Sequence, residues 1–292
     1  MNVLSLFDGI SCGRIALERA GIKINTYYAS EINPNSIKIT QKNYPDTIQL
    51  GDVLELSNDR IDQLKEIDLL IGGSPCEDLS ITAVDRKDIC NGLDGSKSIL
   101  FKEYIRIKNK LNPKYFLLEN VASMTEDNKN EITRQIGVEP ILINSNLVSA
   151  QDRERLYWTN IPGIIQPEDK EIILNDILQH DVDEKFYYKQ DYEFYGYDKK
   201  IIARLNLKTH DLCKRVYNPN FKAPTLTAVQ GGYQEKKVFD NGRCRKLTPL
   251  EYERLQTVPD QYTEGVSNSS RYSLLGDGWT VDVVAHIFRN IT

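Results

Sequence analysis

The first half of the chain alternates short apolar, β-rich runs with helical stretches, and few folds accept that rhythm. Strands are predicted at residues 3–7, 26–30, 48–50, 68–72, 115–119 and 140–144. Helical patterns fall between most of them: 13–20 is stopped by Gly21, 34–43 is opened by Pro34, and 98–111 ends before Pro113. The expected fold is α/β, a Rossmann-like, doubly wound, mostly parallel sheet. In such a sheet ligands bind beyond the carboxyl ends of the strands.

After Trp158 the rhythm breaks, and a stretch rich in tyrosine and charge follows. It is expected to form a second, smaller domain over 161–245, leaving 1–160 plus 246–292 as the larger one. Helical patterns return at 248–257 and 280–290. The net charge of −5 argues against a protein that coats nucleic acid indiscriminately, but the charge is uneven. Residues 196–245 hold eleven Lys/Arg against four Asp/Glu, whereas 160–195 hold three against nine. One part of this region is therefore expected to face phosphates.

Other classes find little support. The opening MNVLSLF meets Asp8 and Gly9 at once, and no apolar run approaches a bilayer span, so neither secretion nor membrane insertion is predicted. Five scattered cysteines, without a C-x-x-C pair, fit a reducing cytoplasm. His180, His210 and His286 are far apart, so neither a histidine metal site nor a Ser-His-Asp arrangement is expected.

The chemistry-bearing residues cluster at predicted strand ends. LSLFDGISCG is a strand, a glycine-bearing loop and a helix start, where Gly9 and Gly13 permit close backbone approach. Such turns serve many nucleotide ligands, and some bind nothing. Glu31 ends the second strand, suited to ribose hydroxyls, and Asp52 follows the third, suited to an adenine amino group; taken singly, each reads better as a solvated carboxylate. Cys76 lies just past the fourth strand, after two glycines and Pro75. A lone cysteine is usually an inert small hydrophobe, but this place at the ligand edge favours a nucleophile. YFLLENV puts Glu119 and Asn120 at the end of another strand, where partial desolvation favours the proton-donor form of the carboxyl. In SAQDRERLYW, Gln151, Arg153 and Arg155 alternate, so an extended strand would point all three to one face.

These segments resemble, in order, the DNA cytosine-5 methyltransferase family: FDGISCG its cofactor loop, SPCEDLS its Pro-Cys motif, ENV its glutamate motif, and QDRER its Gln-x-Arg-x-Arg motif. RKLTPLEYERLQTVPD and LLGDGWTVDVVAHIF resemble its last two motifs, and APTLTAVQGG its Thr-Leu recognition element. Among subfamilies the likeness is greatest to the de novo-type enzymes of animals. Two departures touch the cofactor loops: Ser11 stands where glycine is common, and Gly276-Asp277-Gly278 where Gly-Asn-Ser is common. The aromatic pair of one animal-enzyme interface appears as Phe101-Lys102.

The resemblance implies a class I S-adenosylmethionine-dependent fold with a target-recognition domain. It assigns Phe7, Asp8, Gly9, Ile10, Gly13, Glu31, Ile32, Asp52, Val53, Ser74, Pro75, Asp277, Gly278 and Trp279 to the cofactor. Cys76 would add to carbon 6 of a flipped-out cytosine in duplex DNA, Glu119 would protonate nitrogen 3, and Arg155 and Arg153 would orient the base. Asn120 would position the loop. Gln151, Thr225, Leu226 and Thr227 are expected at DNA, with Lys199, Lys200, Lys214 and Lys236 drawn from the basic stretch. No metal is expected, the setting is cytoplasmic, and a companion restriction enzyme is left open. A transfer-RNA methyltransferase would carry a Cys-Phe-Thr tripeptide absent here. A catalytically dead paralogue would have lost the nucleophile, and a dehydrogenase would show G-x-G-x-x-G where this chain has Gly9-x-x-x-Gly13.

Overall fold

The computed structural model describes residues 1–74 and 98–292. They divide into two compact units: Met1–Ile143 with Glu154–Gln166 and Val284–Thr292, and Asn144–Arg153 with Pro167–Val283. This division differs from the boundaries expected from sequence, since residues 246–283 fall with the second unit.

The first unit is built on a seven-stranded sheet. In chain order its strands are β1 (Asn2–Leu6), β2 (Thr26–Ser30), β3 (Ile48–Gln49), β4 (Leu69–Gly73), β5 (Tyr115–Val121), β6 (Ile141–Asn144) and β7 (Glu154–Thr159). Their spatial order is β3-β2-β1-β4-β5-β7-β6. β1 pairs in parallel with both β2 and β4, so the order reverses beside it. That reversal is where a doubly wound sheet leaves a crevice for a ligand. The helices α1 (Cys12–Arg19), α2 (Pro34–Asn43), α3 (Asn58–Asp62), α4 (Ser98–Leu111) and α5 (Glu126–Ile136) connect the strands.

Strands covered on both faces must be apolar throughout. Val3, Leu4 and Leu6 of β1, Leu69–Ile71 of β4 and Leu117–Leu118 of β5 are accordingly fully buried. Tyr104 and Ile107 of α4, Ile132 of α5 and Trp158 of β7 join this core. Some helix ends are marked locally: Asn33 caps α2 through its side chain before Pro34, and Gly137 ends α5 in the left-handed region.

β7 runs antiparallel to β5 and brings Arg155 opposite Val121 and Tyr157 opposite Glu119. The start of β7 thus lies beside the carboxyl end of β5. The sequence reading of 151–155 as one extended run is corrected here. Gln151 makes only an isolated bridge to Ala223, and the strand begins at Glu154.

The second unit holds a five-stranded sheet that the sequence pattern did not disclose. It comprises β8 (Tyr192–Phe194), β9 (Ile201–Leu205), β10 (Arg215–Tyr217), β11 (Lys237–Asp240) and β12 (Arg243–Lys246), in the order β12-β11-β10-β9-β8. The one-turn helix α6 (Asp211–Lys214) precedes β10. Ile202, Ala203, Leu205, Val216 and Phe239 form its core. Helix α7 (Pro249–Leu255) carries a capping box between Thr248 and Glu251, and α8 (Asn268–Asp277) packs with it. A last helix, α9, spans Val281–Phe288, and its residues from Val284 onward belong to the first unit. Among the described residues no helix is long and apolar enough to cross a membrane.

Candidate active site

The first strand of the large sheet ends in a turn where Phe7, Gly9 and Ser11 all take positive φ, at 57°, 58° and 59°. Beside Gly9 a side chain would meet nothing within 4 Å, so the turn has open space there. Its amide donates to Oε2 of Glu31 at 2.7 Å, while Oε1 accepts from the amides of Ile32 and Asn33, each at 2.7 Å. Glu31 thereby ties the ends of β1 and β2 together. Asp52 accepts from the Leu54 amide at 2.9 Å and caps the turn Val53–Glu55. Ile10, Gly13 and Val53 are buried, and Ile32 is exposed.

Ser11 explains how a residue with a side chain replaces glycine in this conformation. Its hydroxyl donates to Asp8 Oδ2 at 2.5 Å and lies 2.9 Å from the Thr40 hydroxyl, which offsets the left-handed backbone. Asp8 is turned inward, accepting also from the Tyr27 hydroxyl at 2.8 Å. Burial pushes its pKa from 3.8 to about 6, with the nearby Glu31 charge acting in the same direction and bonds from Ser11, Ser5 and Tyr27 opposing. The side chain of Asp8 is therefore part of the loop's scaffold.

Beyond β4 and β5 the geometry tightens. Asn120 donates to both the carbonyl and the hydroxyl of buried Ser74 at 3.2 Å, and its own oxygen accepts from the Val121 amide at 2.8 Å. Glu119, at the same strand end, is ion-paired to Arg155 Nε at 2.9 Å. Both side chains are largely buried, and a short, desolvated pair of this kind fixes the carboxyl's orientation. Glu119 is buried at the strand end, where the sequence pattern places a partly desolvated carboxyl, and the ion pair with Arg155 is the added feature. Pro75 and Cys76 lie outside the described residues.

In the second unit, two residues expected at DNA or base are otherwise occupied. Arg153, 3% exposed, donates through Nη1 to the Leu226 carbonyl at 2.7 Å and through Nη2 to the carbonyls of Gly276 at 3.1 Å and Gly278 at 2.9 Å. Gln151, fully buried, accepts from the Leu226 amide at 2.7 Å. Neither side chain reaches the surface, so the alternation that suggested a shared face reflects different backbone geometry. Thr225 donates to the Asp152 carbonyl at 2.6 Å, leaving Thr227 exposed beside buried Leu226. Asp277 is exposed, with Gly278 and Trp279 half-buried. Gln256, which sequence reasoning passed over, donates to the carbonyls of Leu275 and Gly278 at 2.6 and 3.0 Å. Its only sequence signal was its place in the RLQTVPD segment.

The basic stretch is much less cationic in space than in composition. Lys199 pairs with Asp198 at 2.9 Å and Lys200 with Asp152 at 2.5 Å. Arg204 and Arg215 share Asp211, Arg243 pairs with Glu184, and buried Arg245 is held by Asp240 and Glu251. Lys237 is buried with its ammonium on the carbonyls of Tyr233 and Glu235, and burial lowers its pKa to about 8. Burial also lowers that of half-buried Lys236. Lys208, exposed, and Lys214, half-buried, make no salt bridge among the described residues. The expected phosphate-facing set of Lys199, Lys200, Lys214 and Lys236 thus contains two neutralised cations and one desolvated one.

Comparison with known proteins gives these motifs a context. The model of the family described as C-5 cytosine-specific DNA methylase matches residues 1–292. The orphan methyltransferase M.SPBetaI of Bacillus phage SPbeta is 24% identical over 433 aligned positions, covering 100% of this chain and 97% of the relative. Among solved structures, a putative DNA modification methyltransferase encoded in an Escherichia coli prophage superposes with a TM-score of 0.71 at 19% identity, covering 100% of this chain and 98% of the other. A mutant of Spodoptera frugiperda DNMT2 gives 0.71 at 20% identity, with 99% and 98% covered. These structures share the fold of this chain.

Proposed function

From the membership of this chain in the C-5 cytosine-specific DNA methylase family, whose reaction is methyl transfer to carbon 5 of cytosine in DNA, we infer which side chains perform that reaction. The observation that carries the assignment is the strand-end arrangement of Glu119, Arg155 and Asn120, with Asn120 fixing the backbone of Ser74 two residues before Cys76.

S-adenosylmethionine, when bound, supplies an electrophilic methyl group. The donor set suits it: Glu31 and Asp52 are carboxylates following adjacent strands, able to accept from hydroxyls and an amine, and the Gly9 turn leaves open space beside them. Phe7, Ile10, Gly13, Ile32, Val53 and Ser74 complete the proposed set in the first unit, and the resemblance adds Pro75 and Asp277–Trp279.

Carbon 5 of cytosine is a weak nucleophile until carbon 6 carries an added group. The Cys76 thiolate forms a bond to carbon 6, and Glu119 gives a proton to nitrogen 3. The electron pair pushed to carbon 5 would take the methyl group as its bond to the sulfonium sulfur breaks, with S-adenosylhomocysteine as the leaving group. Loss of the carbon 5 proton to water then expels the thiolate, nitrogen 3 returns its proton to Glu119, and the ring is restored. Arg155 holds the Glu119 carboxyl in the orientation this requires and contributes positive charge beside the ring. A cytosine stacked in a duplex cannot present carbon 6 to a thiol, so it leaves the stack first. Arg153 and Gln151 act through the Thr-Leu element rather than on the base.

We read the cytoplasm as the working compartment. The SPbeta relative is described as an orphan methyltransferase, which favours action without a cognate restriction enzyme. The decisive experiment incubates the protein with labelled S-adenosylmethionine and either duplex DNA or RNA, then maps the modified base. Label at carbon 5 of cytosine in DNA supports the assignment; label confined to RNA, or none, refutes it.

A further inference from the structure

Leu226 lies at the centre of the Thr-Leu element with both backbone polar groups taken by buried side chains. Its amide donates to Gln151 Oε1 at 2.7 Å; Gln151 Nε2 donates to Gln256 Oε1 at 3.1 Å; Gln256 Nε2 donates to the Gly278 carbonyl at 3.0 Å. Its carbonyl accepts from Arg153 Nη1 at 2.7 Å, and Arg153 Nη2 donates to that same Gly278 carbonyl at 2.9 Å. The two relays close a ring between Leu226 and Gly278. Thr280 steadies it, accepting from Ser145 at 2.9 Å and donating to Gln256 Oε1 at 2.9 Å.

A second contact joins the same segments. A side chain at Gly276 would stand 2.2 Å from the carbonyl carbon and oxygen of Thr227 and 2.5 Å from the Ala228 nitrogen. Real Cβ atoms do not come that close, so residues 227–228 and the end of α8 lie backbone on backbone. Gln151, Gln256 and Leu226 are essentially inaccessible to water. At that end of the network solvent cannot take the place of a lost partner, so a bond broken between Leu226, Gln151 and Gln256 leaves an unsatisfied polar group.

We propose that this ring couples cofactor binding to target recognition, with Arg153 and Gln256 as positioning residues that transmit the state of 276–278 to Leu226. The proposal rests on the methyltransferase reading above, in which Asp277–Trp279 meet the cofactor and Thr225–Thr227 meet DNA. By linkage the effect is reciprocal: whatever factor the cofactor adds to DNA affinity, DNA adds to cofactor affinity. Arginine is suited to the task because its planar fork reaches several carbonyls from one rigid group, which an ammonium cannot do.

The test uses S-adenosylhomocysteine as the cofactor probe and a duplex carrying the methylated site. Calorimetry gives the probe's affinity for the DNA-free protein, and fluorescence anisotropy gives duplex affinity with and without the probe. The wild type is expected to bind the duplex at least about fivefold more tightly with the probe present. In Arg153→Lys and Gln256→Leu, each checked for folding by circular dichroism, that ratio should fall below about twofold. A measurement on the unaltered protein stands beside these: the probe alone should slow hydrogen exchange at the Leu226 amide. Retention of the full ratio in both variants overturns the proposal, as does probe binding that leaves Leu226 exchange unchanged. Failure of the probe to bind the wild type at all would instead strike the methyltransferase reading on which the proposal stands.

Discussion

Replacing Asp8 with asparagine removes a charge that the fold has to keep out of water. The carboxyl is buried against Ser5, Ser11 and Tyr27, with Glu31 the nearest like charge, and its pKa rises from 3.8 to about 6. The folded protein therefore holds this proton more tightly than the unfolded chain. Asp8's contribution is fully favourable below about pH 4 and is lost as pH rises through about 6. At 1.36 kcal/mol per pH unit of displacement, holding it ionised costs roughly 3 kcal/mol at pH 8. Asp8→Asn keeps the shape, can still accept from Tyr27, and can donate to Ser11. The prediction is that the variant gains up to roughly 3 kcal/mol over the wild type at pH 8, about a third of that at pH 4.5, and nothing below about pH 3. Urea unfolding of both proteins across that range provides the check, because every other carboxylate is common to the pair and cancels in the difference. A difference in stability that does not change with pH would refute the reasoning.

Cys76→Ala is expected to abolish methylation while S-adenosylhomocysteine still binds, and wild-type protein should form a denaturant-stable adduct on DNA containing 5-fluorocytosine; normal turnover by the variant would remove Cys76 from the mechanism. Glu119→Gln should lower the single-turnover rate by about two to four orders of magnitude with little change in cofactor affinity, and an unchanged rate would reduce the residue to a strand-end carboxylate. Lys208→Glu and Lys214→Glu should each flatten the salt dependence of DNA binding by about one unit of slope if they meet phosphates. Lys200→Glu should do less, because Asp152 already neutralises that cation; the opposite ranking would show that the internal pairs open when DNA binds.

What was legible in the sequence follows from what burial does to a pattern. Strands β1, β2 and β5 are buried along nearly their whole length and spell short runs dominated by apolar and aromatic residues, so their bounds could be read almost to the residue. Glu119 and Asn120 stood out because polar residues at the end of such a run call for a reason. The second sheet was hidden because its strands are three to five residues long and mix Lys, Arg and Glu with apolar positions. Composition also counts charges without their partners: Arg245 and Lys237 contribute to the basic total, yet both are buried, one by carboxylates and the other by carbonyls. Alternation in QDRER predicts a strand, but it carries no information about the turn that delays β7 until Glu154. Ser11 was visible as a departure from glycine, whereas its compensation by Asp8 and Thr40 is a three-dimensional fact.

The contact at Gly276 has a bearing on how such enzymes change their targets. Because the backbone of residues 227–228 rests on a glycine with no room to spare, the Thr-Leu element is a seat rather than a loop. On the proposed reading, a donor segment carrying another specificity is expected to be tolerated when spliced in after Val229, which leaves that seat undisturbed. One grafted across it must bring the same backbone course, or glycine's neighbours will not close. On the proposed reading, in which the Thr-Leu element meets DNA, the freedom to diversify begins beyond buried Val229, in the exposed stretch 230–234, and transplants between relatives should succeed or fail according to which side of that boundary they are cut.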